Sequence, residues 1–356
     1  MQSSKDAFLT LVRLGIGRQT DASPSAIDWE IIQILAEQQG LSGIVLDGLD
    51  KVPNSQRPEK KDLLQLIGSV LQLEEQYAIQ WKSACEMALL FANNAMRTYV
   101  LKGHVISECY PNPIHRNSAD MDCFLIPEQG DFDAWDLGNQ LIKNEGFEVD
   151  EDYYKNSAFF LPGLTVENHH FMVPFRGNKT LKKLEKVLQV ILRADKGEDR
   201  IEGTDLYRPP ILMTALFLIE HAYSHFLHEG MTWRHVLDWM MFSEKHRKDI
   251  NWNTLDAFID ELGFRRFYDA YCHLGQLLLG NEEKDSLSKA ENKMLDDIWA
   301  PLDLHETLHG VKGKLGLVGN TWRARWKYRY FSEISWIKAL WIQIFGYLFE
   351  KNPKLN

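Results

Sequence analysis

Between Tyr99 and Ile126 the chain reads Y-V-L-K-G-H-V-I-S-E-C-Y-P-N-P-I-H-R-N-S-A-D-M-D-C-F-L-I, and this stretch restricts fold and chemistry more than any other. An apolar lead-in ends in a Lys-Gly step, a turn-rich loop follows, and two aspartates one residue apart open an apolar run. In a strand, side chains at i and i+2 share a face. Asp120 and Asp122 therefore project side by side from a strand carrying Met121, Cys123, Phe124, Leu125 and Ile126. Two carboxylates so placed repel each other unless a cation lies between them. Mg²⁺, held by one or two carboxylates together with substrate phosphates, suits the pair. The plainer reading is an aspartate at a strand start with a second on the solvent face. If the pair is a metal site, its repulsion in the metal-free protein predicts that Asp122→Asn leaves stability unchanged or raised.

The flanking residues add to this pattern. Leu101-Lys102-Gly103 stands upstream, Arg116-Asn117-Ser118 lies just before the aspartates, and an acidic strand follows at Val166-Glu167. Period two puts Glu167 and His169 on one face of that strand and Val166, Asn168 and His170 on the other. The set resembles the nucleotidyltransferase superfamily of the DNA polymerase β type. There a glycine turn from strand to helix precedes a D-x-D strand, and a third carboxylate arrives on a neighbouring strand. More narrowly, L-K-G…Y-P…R-x-S-x-D-x-D followed by V-E-x-H is similar to a family of uncharacterised bacterial nucleotidyltransferases. The similarity runs over about residues 25–245, with its specific motifs at 100–123 and 164–170.

The resemblance implies an NTP donor and a hydroxyl acceptor on a small molecule, sugar or protein. It implies Mg²⁺ or Mn²⁺ at Asp120, Asp122 and Glu167. The aspartates would be shared by two ions, and Glu167 would hold the ion nearer the acceptor and help take its proton. Lys102, Gly103, Arg116, Ser118 and His169 are the nucleotide-binding candidates. Lys and Arg commonly meet phosphates, and Gly103 can open a helix whose free N–H groups face them. Lys102 also reads as an exposed residue at a strand end, and Arg116 as a partner for Asp120. The pattern departs from the superfamily at position 104, where His104 replaces the usual Gly or Ser that helps hold the triphosphate. That departure favours a second function, a catalytically weak or inactive relative acting as a nucleotide-binding or interaction module. A kinase-type phosphotransfer site lacks both a P-loop and a kinase signature set.

With a formal net charge of −10, nucleic acid is a poor main partner, because nucleic-acid modules usually carry a basic face. Cys85, Cys109, Cys123 and Cys272 are widely spaced without a C-x-x-C, which reads as reduced thiols in a cytoplasm. The N-terminus lacks the pattern of a signal peptide, and no run reaches the roughly 18 apolar residues of a membrane span.

The expected fold class is α+β: a small mixed-sheet core at 98–200, with a helical region at 1–97 before it and a helical domain at 201–356 after it. Helices are predicted at 5–17, 27–39 (capped by Ser25 or Asp28), 62–97 as one or two, and 131–144. A strand is predicted at Tyr99–Leu101, and a hairpin at Pro162-Gly163 leads into Leu164–Pro174. From Pro209 onward the chain reads as helical. His221, His225 and His228 form one stripe at i, i+4 and i+7, read as packing, cleft lining or zinc binding, without an H-E-x-x-H pattern. Arg234 and Asp238 read as a helix-surface pair. The Trp/Arg-rich segment at 322–331 and the aromatics beyond it read as a packing face or oligomer interface, an acceptor-stacking surface or a peripheral membrane helix.

Overall fold

The aspartate run becomes an inner strand of the sheet. The computed structural model describes residues 2–19, 27–300, 322–349 and 353–355. Its strands are β1 (Met96–Val100), β2 (Asp120–Pro127), β3 (Val149–Asp150), β4 (Asn156–Leu161), β5 (Leu164–His169) and β6 (Leu206–Tyr207). They form one mixed sheet in the order β3-β4-β5-β2-β1-β6. β2 runs antiparallel to β1 and parallel to β5, and β6 runs parallel to β1. β4 and β5 are the expected hairpin, turned at Pro162-Gly163. β5 ends at His169 rather than continuing to Pro174.

Helices α1 (Gln2–Gly15), α2 (Trp29–Gln39), α3 (Ser42–Leu49) and α4 (Lys60–Ala92) precede the sheet. Within it lie the short α5 (His104–Ser107), α6 (Ala134–Asn144) and α7 (Lys179–Ala194). After it come α8 (Ile211–His228), α9 (Trp233–Lys245), α10 (Trp252–Glu261), α11 (Arg265–Leu279), α12 (Lys289–Ile298), α13 (Arg325–Phe331) and α14 (Trp336–Phe349). Asp28 caps α2 by accepting from the Ile31 N–H, as its residue type favours; the other cap candidate, Ser25, lies outside the described residues. The long amphipathic stretch is a single helix, and it stops at Ala92 rather than Arg97. The Asn93-Asn94-Ala95 turn, with Ala95 at φ 57°, redirects the chain into β1.

Each face of the sheet has its own core. Met121, Cys123 and Leu125 of β2 pack with Val166 of β5 against Ala84, Met87 and Phe91 of α4. Phe124 and Ile126 point the other way, into a larger core shared with α8 through Leu216 and Phe217. The two aspartates belong to this second face by strict alternation, so the site forms where the sheet meets α8.

The C-terminal segment divides in two. In α13, Tyr328 and Phe331 are buried, and Lys327 Nζ donates to the Phe226 carbonyl at 2.7 Å while pairing with Asp297 at 2.6 Å. Ile337 and Trp341 of α14 are exposed. Among the described residues no helix is long and apolar enough to cross a membrane.

Candidate active site

Parallel pairing aligns Asp122 with Glu167 and Asp120 with Thr165. Asp122 and Glu167 therefore stand next to each other on adjacent strands, with Asp120 one pleat away on the same face of β2. The next inward-facing residue of β5 is His169, and one ligand atom each from Asp122, Glu167 and His169 lie within 4.8 Å of one another. His169 Nε2 is 3.0 Å from Asp122 Oδ1 and 3.4 Å from Glu167 Oε2, while Nδ1 is 3.0 Å from the Phe171 carbonyl. A carbonyl only accepts, so Nδ1 carries a proton, and donation to Asp122 requires a second proton on Nε2.

Lys102 enters this cluster from the end of β1. Its Nζ lies 3.0 Å from Asp122 Oδ2, 3.8 Å from Asp120 Oδ1 and 3.4 Å from His221 Nε2 on α8. Its side chain is only 15% exposed, so the reading of Lys102 as an exposed strand-end residue fails. Its ammonium stands against both aspartates, which compensates the repulsion that the carboxylate pair alone would suffer.

The protonation preferences follow from this packing. Burial opposes ionisation of Asp122, but the Lys102 charge and the His169 bond outweigh it and hold the carboxyl well below the usual range. Glu167 is likewise disfavoured by burial and lowered on balance by its bond to His169. Asp120 is raised by burial and by Asp122 beside it. Burial and Lys155 work against a charged His169, yet its bonds to Asp122 and Glu167 raise it overall. Burial also works against the Lys102 charge, and Asp122 and Asp120 reverse that effect.

Gly103 makes the turn between Lys102 and α5. Its φ of +73° is a left-handed conformation that disfavours side chains, and a Cβ there would lie 3.0 Å from Ser118 Oγ. Ser118 Oγ donates to the Asp120 carbonyl at 3.1 Å, so Gly103 and Ser118 close on each other beside the first aspartate. The helix after the turn is four residues long. His104 turns its ring away from the site, between Tyr77 at 4.6 Å and Trp81 at 5.3 Å. Burial, with Arg116 second, pushes it down to about 4, so the ring is neutral at pH 7. Position 104 thus anchors the turn onto α4 through its side chain.

Arg116 is 2% exposed and does not pair with Asp120. Its Nε and Nη2 donate to the two oxygens of Asp238 on α9, at 3.0 and 2.7 Å, and Tyr110 Oη donates to the same carboxylate at 2.7 Å. Asp238 is therefore buried and not on the helix surface, and Arg234 donates instead to the Asn117 carbonyl at 3.3 Å. Arg116 Nη1 is buried without a hydrogen-bond partner. Arg116, Asn117 and Ser118 line a cavity of about 430 Å³ together with Gln72, Gln76 and Gln80 of α4.

The structure gathers Lys102, Asp120, Asp122, Glu167 and His169 around one point, with Gly103 and Ser118 at its edge and Arg116 behind the loop. Sequence reasoning overlooked His235 and the buried role of Asp238. The T-x-x-H spacing from Thr232 marks His235 as a position that can reach back to the helix start, a capping signal that says nothing of a cluster. His221 and His225 meet His235 and not His228, because the α8–α9 turn folds the start of α9 back over them.

No curated protein and no solved structure matches the chain. A family model described as "Uncharacterised nucleotidyltransferase" matches residues 25–280, a span that contains every residue of this site. The chain belongs to the uncharacterised nucleotidyltransferase family.

Proposed function

We propose that the protein transfers a nucleoside monophosphate from an NTP to a hydroxyl acceptor, using Mg²⁺ or Mn²⁺ held by Asp120, Asp122 and Glu167. The observation that carries this reading is the pairing of Asp122 with Glu167 across parallel strands, with Asp120 on the same face and the Gly103 turn alongside. The donor set fits such an ion. It is rich in carboxylate oxygen, Asp122 and Glu167 converge with His169 within 4.8 Å, Asp120 lies on the same face of β2, and a cationic group already stands against the aspartates. When bound, the ion neutralises charge on the phosphate oxygens in an in-line displacement.

The chain's own residues supply the rest. Asp122 is ionised at neutral pH and ready to ligate. Glu167 is the less buried partner of that pair, suited to receive the acceptor's proton. His169 keeps Nδ1–H on the Phe171 carbonyl, as metal-ligating histidines commonly do, and can yield its Nε2 proton when a cation arrives. Lys102, displaced from Asp122, has phosphate as its next partner. Gln72, Asn117 and Ser118 line the neighbouring cavity and offer polar groups to a substrate there.

The test is incubation with each α-labelled NTP and Mg²⁺ or Mn²⁺, scoring pyrophosphate release and label transferred to protein or to added hydroxyl compounds. Metal-dependent release that Asp122→Asn abolishes is expected. Calorimetry showing no metal-dependent binding of any NTP would overturn the reading. Tight metal–NTP binding without release would instead favour a nucleotide-binding module, the reading to which His104 after the glycine turn lends weight.

A further inference from the structure

Beyond the carboxylates, on the far side of Lys102, α8 and α9 bring three imidazoles together. His221 and His225 sit one turn apart on α8, and His235 lies in the first turn of α9. Their ring centroids are 4.4, 4.7 and 5.9 Å apart, and one ligand nitrogen from each falls within 4.8 Å of the others. We propose that His221, His225 and His235 form a second cation site, for a nitrogen-preferring transition metal of the Zn²⁺ class.

Three observations favour a ligand over mere packing. First, each ring has one nitrogen engaged outside the trio. His225 Nδ1 is 3.1 Å from Glu229 Oε2, His235 Nδ1 is 2.9 Å from Thr232 Oγ1, and His221 Nε2 is 3.4 Å from Lys102 Nζ. Among the described residues, the other nitrogen of each ring carries no hydrogen bond. Glu229 on the outer nitrogen of His225 is the arrangement that orients zinc-bound histidines. His235 Nδ1 instead accepts from the Thr232 N–H at 3.1 Å and His221 Nε2 from the Lys102 ammonium, so ligation by the other nitrogen of those two rings displaces a proton from it. Second, His235 is buried and His221 and His225 are part-buried, so the three rings meet inside the fold and not on its surface. Third, the chemistry differs from that of the neighbouring site: three imidazoles suit Zn²⁺, Ni²⁺ or Cu²⁺, whereas carboxylates suit Mg²⁺ and Mn²⁺. Three nitrogens around zinc stand about 3.3 Å apart, so modest ring rotations close the present spacing. Three protein ligands leave a fourth position for water or a phosphate oxygen. Lys102 stands beside His221 and Arg234 adjoins His235, and Glu229 on His225 is the carboxylate that faces the trio.

The experiment titrates metal-free, full-length protein with Co²⁺, following the visible d–d absorption of low-coordinate cobalt, and then displaces it with Zn²⁺. The variants are His225→Ala, Glu229→Ala, His228→Ala and the double replacement Asp122→Asn/Glu167→Gln, each checked for the parental circular dichroism. We expect one cobalt per chain in the parent, in His228→Ala and, at lower affinity because the Lys102 charge beside His221 is less compensated, in the carboxylate double variant. Affinity should fall at least about a hundredfold in His225→Ala and about 10–100-fold in Glu229→Ala. Absence of the cobalt bands from the parent, unchanged binding in His225→Ala, or loss in the carboxylate variant alone would overturn the site. Because the readout is cobalt absorption and not NTP turnover, failure here leaves the nucleotidyltransfer reading untouched, and the reverse also holds.

Discussion

Replacing Asp122 with Asn separates the structure from what a bare pair of carboxylates would do. Repulsion between Asp120 and Asp122 alone predicts a stable or stabilised variant. In the structure, however, Asp122 is 2% exposed and engages Lys102 and His169, each at 3.0 Å. Removing one partner of a buried pair costs about 3–5 kcal/mol, because the other charge stays buried and uncompensated. Lys102 keeps Asp120 at 3.8 Å and some water contact, and Asn can still accept from His169, so the cost falls to about 2–3 kcal/mol. At roughly 2–4 °C per kcal/mol for domains of about 150–250 residues, the melting temperature in EDTA should drop by roughly 5 °C or more. The pH dependence has a definite sign. The folded Asp122 carboxyl lies below its ordinary 3.8, so its contribution is complete above that value and is lost as pH falls through the folded value. His169 is raised above its ordinary 6.5, so its contribution is complete below that value and is lost as pH rises through the folded one. The gap between parent and variant should be widest between about pH 4 and 6.5 and narrow on both sides. Differential scanning fluorimetry across pH in chelator measures it. An Asp122→Asn protein that melts level with or above the parent at pH 6 would refute the Lys102–Asp122–His169 arrangement.

Lys102→Met should melt lower without metal, and Mn²⁺ alone should raise its melting temperature more than the parent's, since the ion takes over the displaced ammonium's position; equal rises in thermal shift would count against that. Arg116→Lys cannot reproduce the two-pronged bond to Asp238 and should lose about 2–4 kcal/mol in urea unfolding, while Tyr110→Phe should lose about 1–2 kcal/mol. Parental urea midpoints in both would mean that the Asp238 network contributes nothing. Gly103→Ala forces a side chain into a left-handed turn against Ser118, at about 1–2 kcal/mol, and should weaken metal–NTP binding in calorimetry more than it lowers stability. If calorimetry returns the parental affinity, the turn does not touch the nucleotide.

What could be read from the sequence was local. Alternation alone assigns Asp120 and Asp122 to one face of β2 and Met121, Cys123 and Leu125 to the other, because the pleat has period two whatever the tertiary fold. The Pro162-Gly163 hairpin and the Asp28 cap are similarly short-range. Arg116 and Asp238 are 122 residues apart, and no pattern along the chain links them. Helical spacing offers Arg234 as the neighbour instead, and burial of the Arg116 fork overrides it. The histidine stripe fails for the same reason: period 3.6 groups His221, His225 and His228 on α8, but a turn between helices decides that His235 is the third ring. Lys102 is the instructive case. The carboxylate pair needs a compensating charge, and Lys102 stands against both aspartates. A divalent ion must compete with a tethered ammonium that already pairs with Asp122, which disfavours metal binding to the free protein. On the proposed reading a triphosphate would change the balance, because its negative oxygens would give Lys102 a new partner. If the proposed reading holds, metal and nucleotide would favour each other's binding by the same factor, with Lys102 as the side chain that couples them.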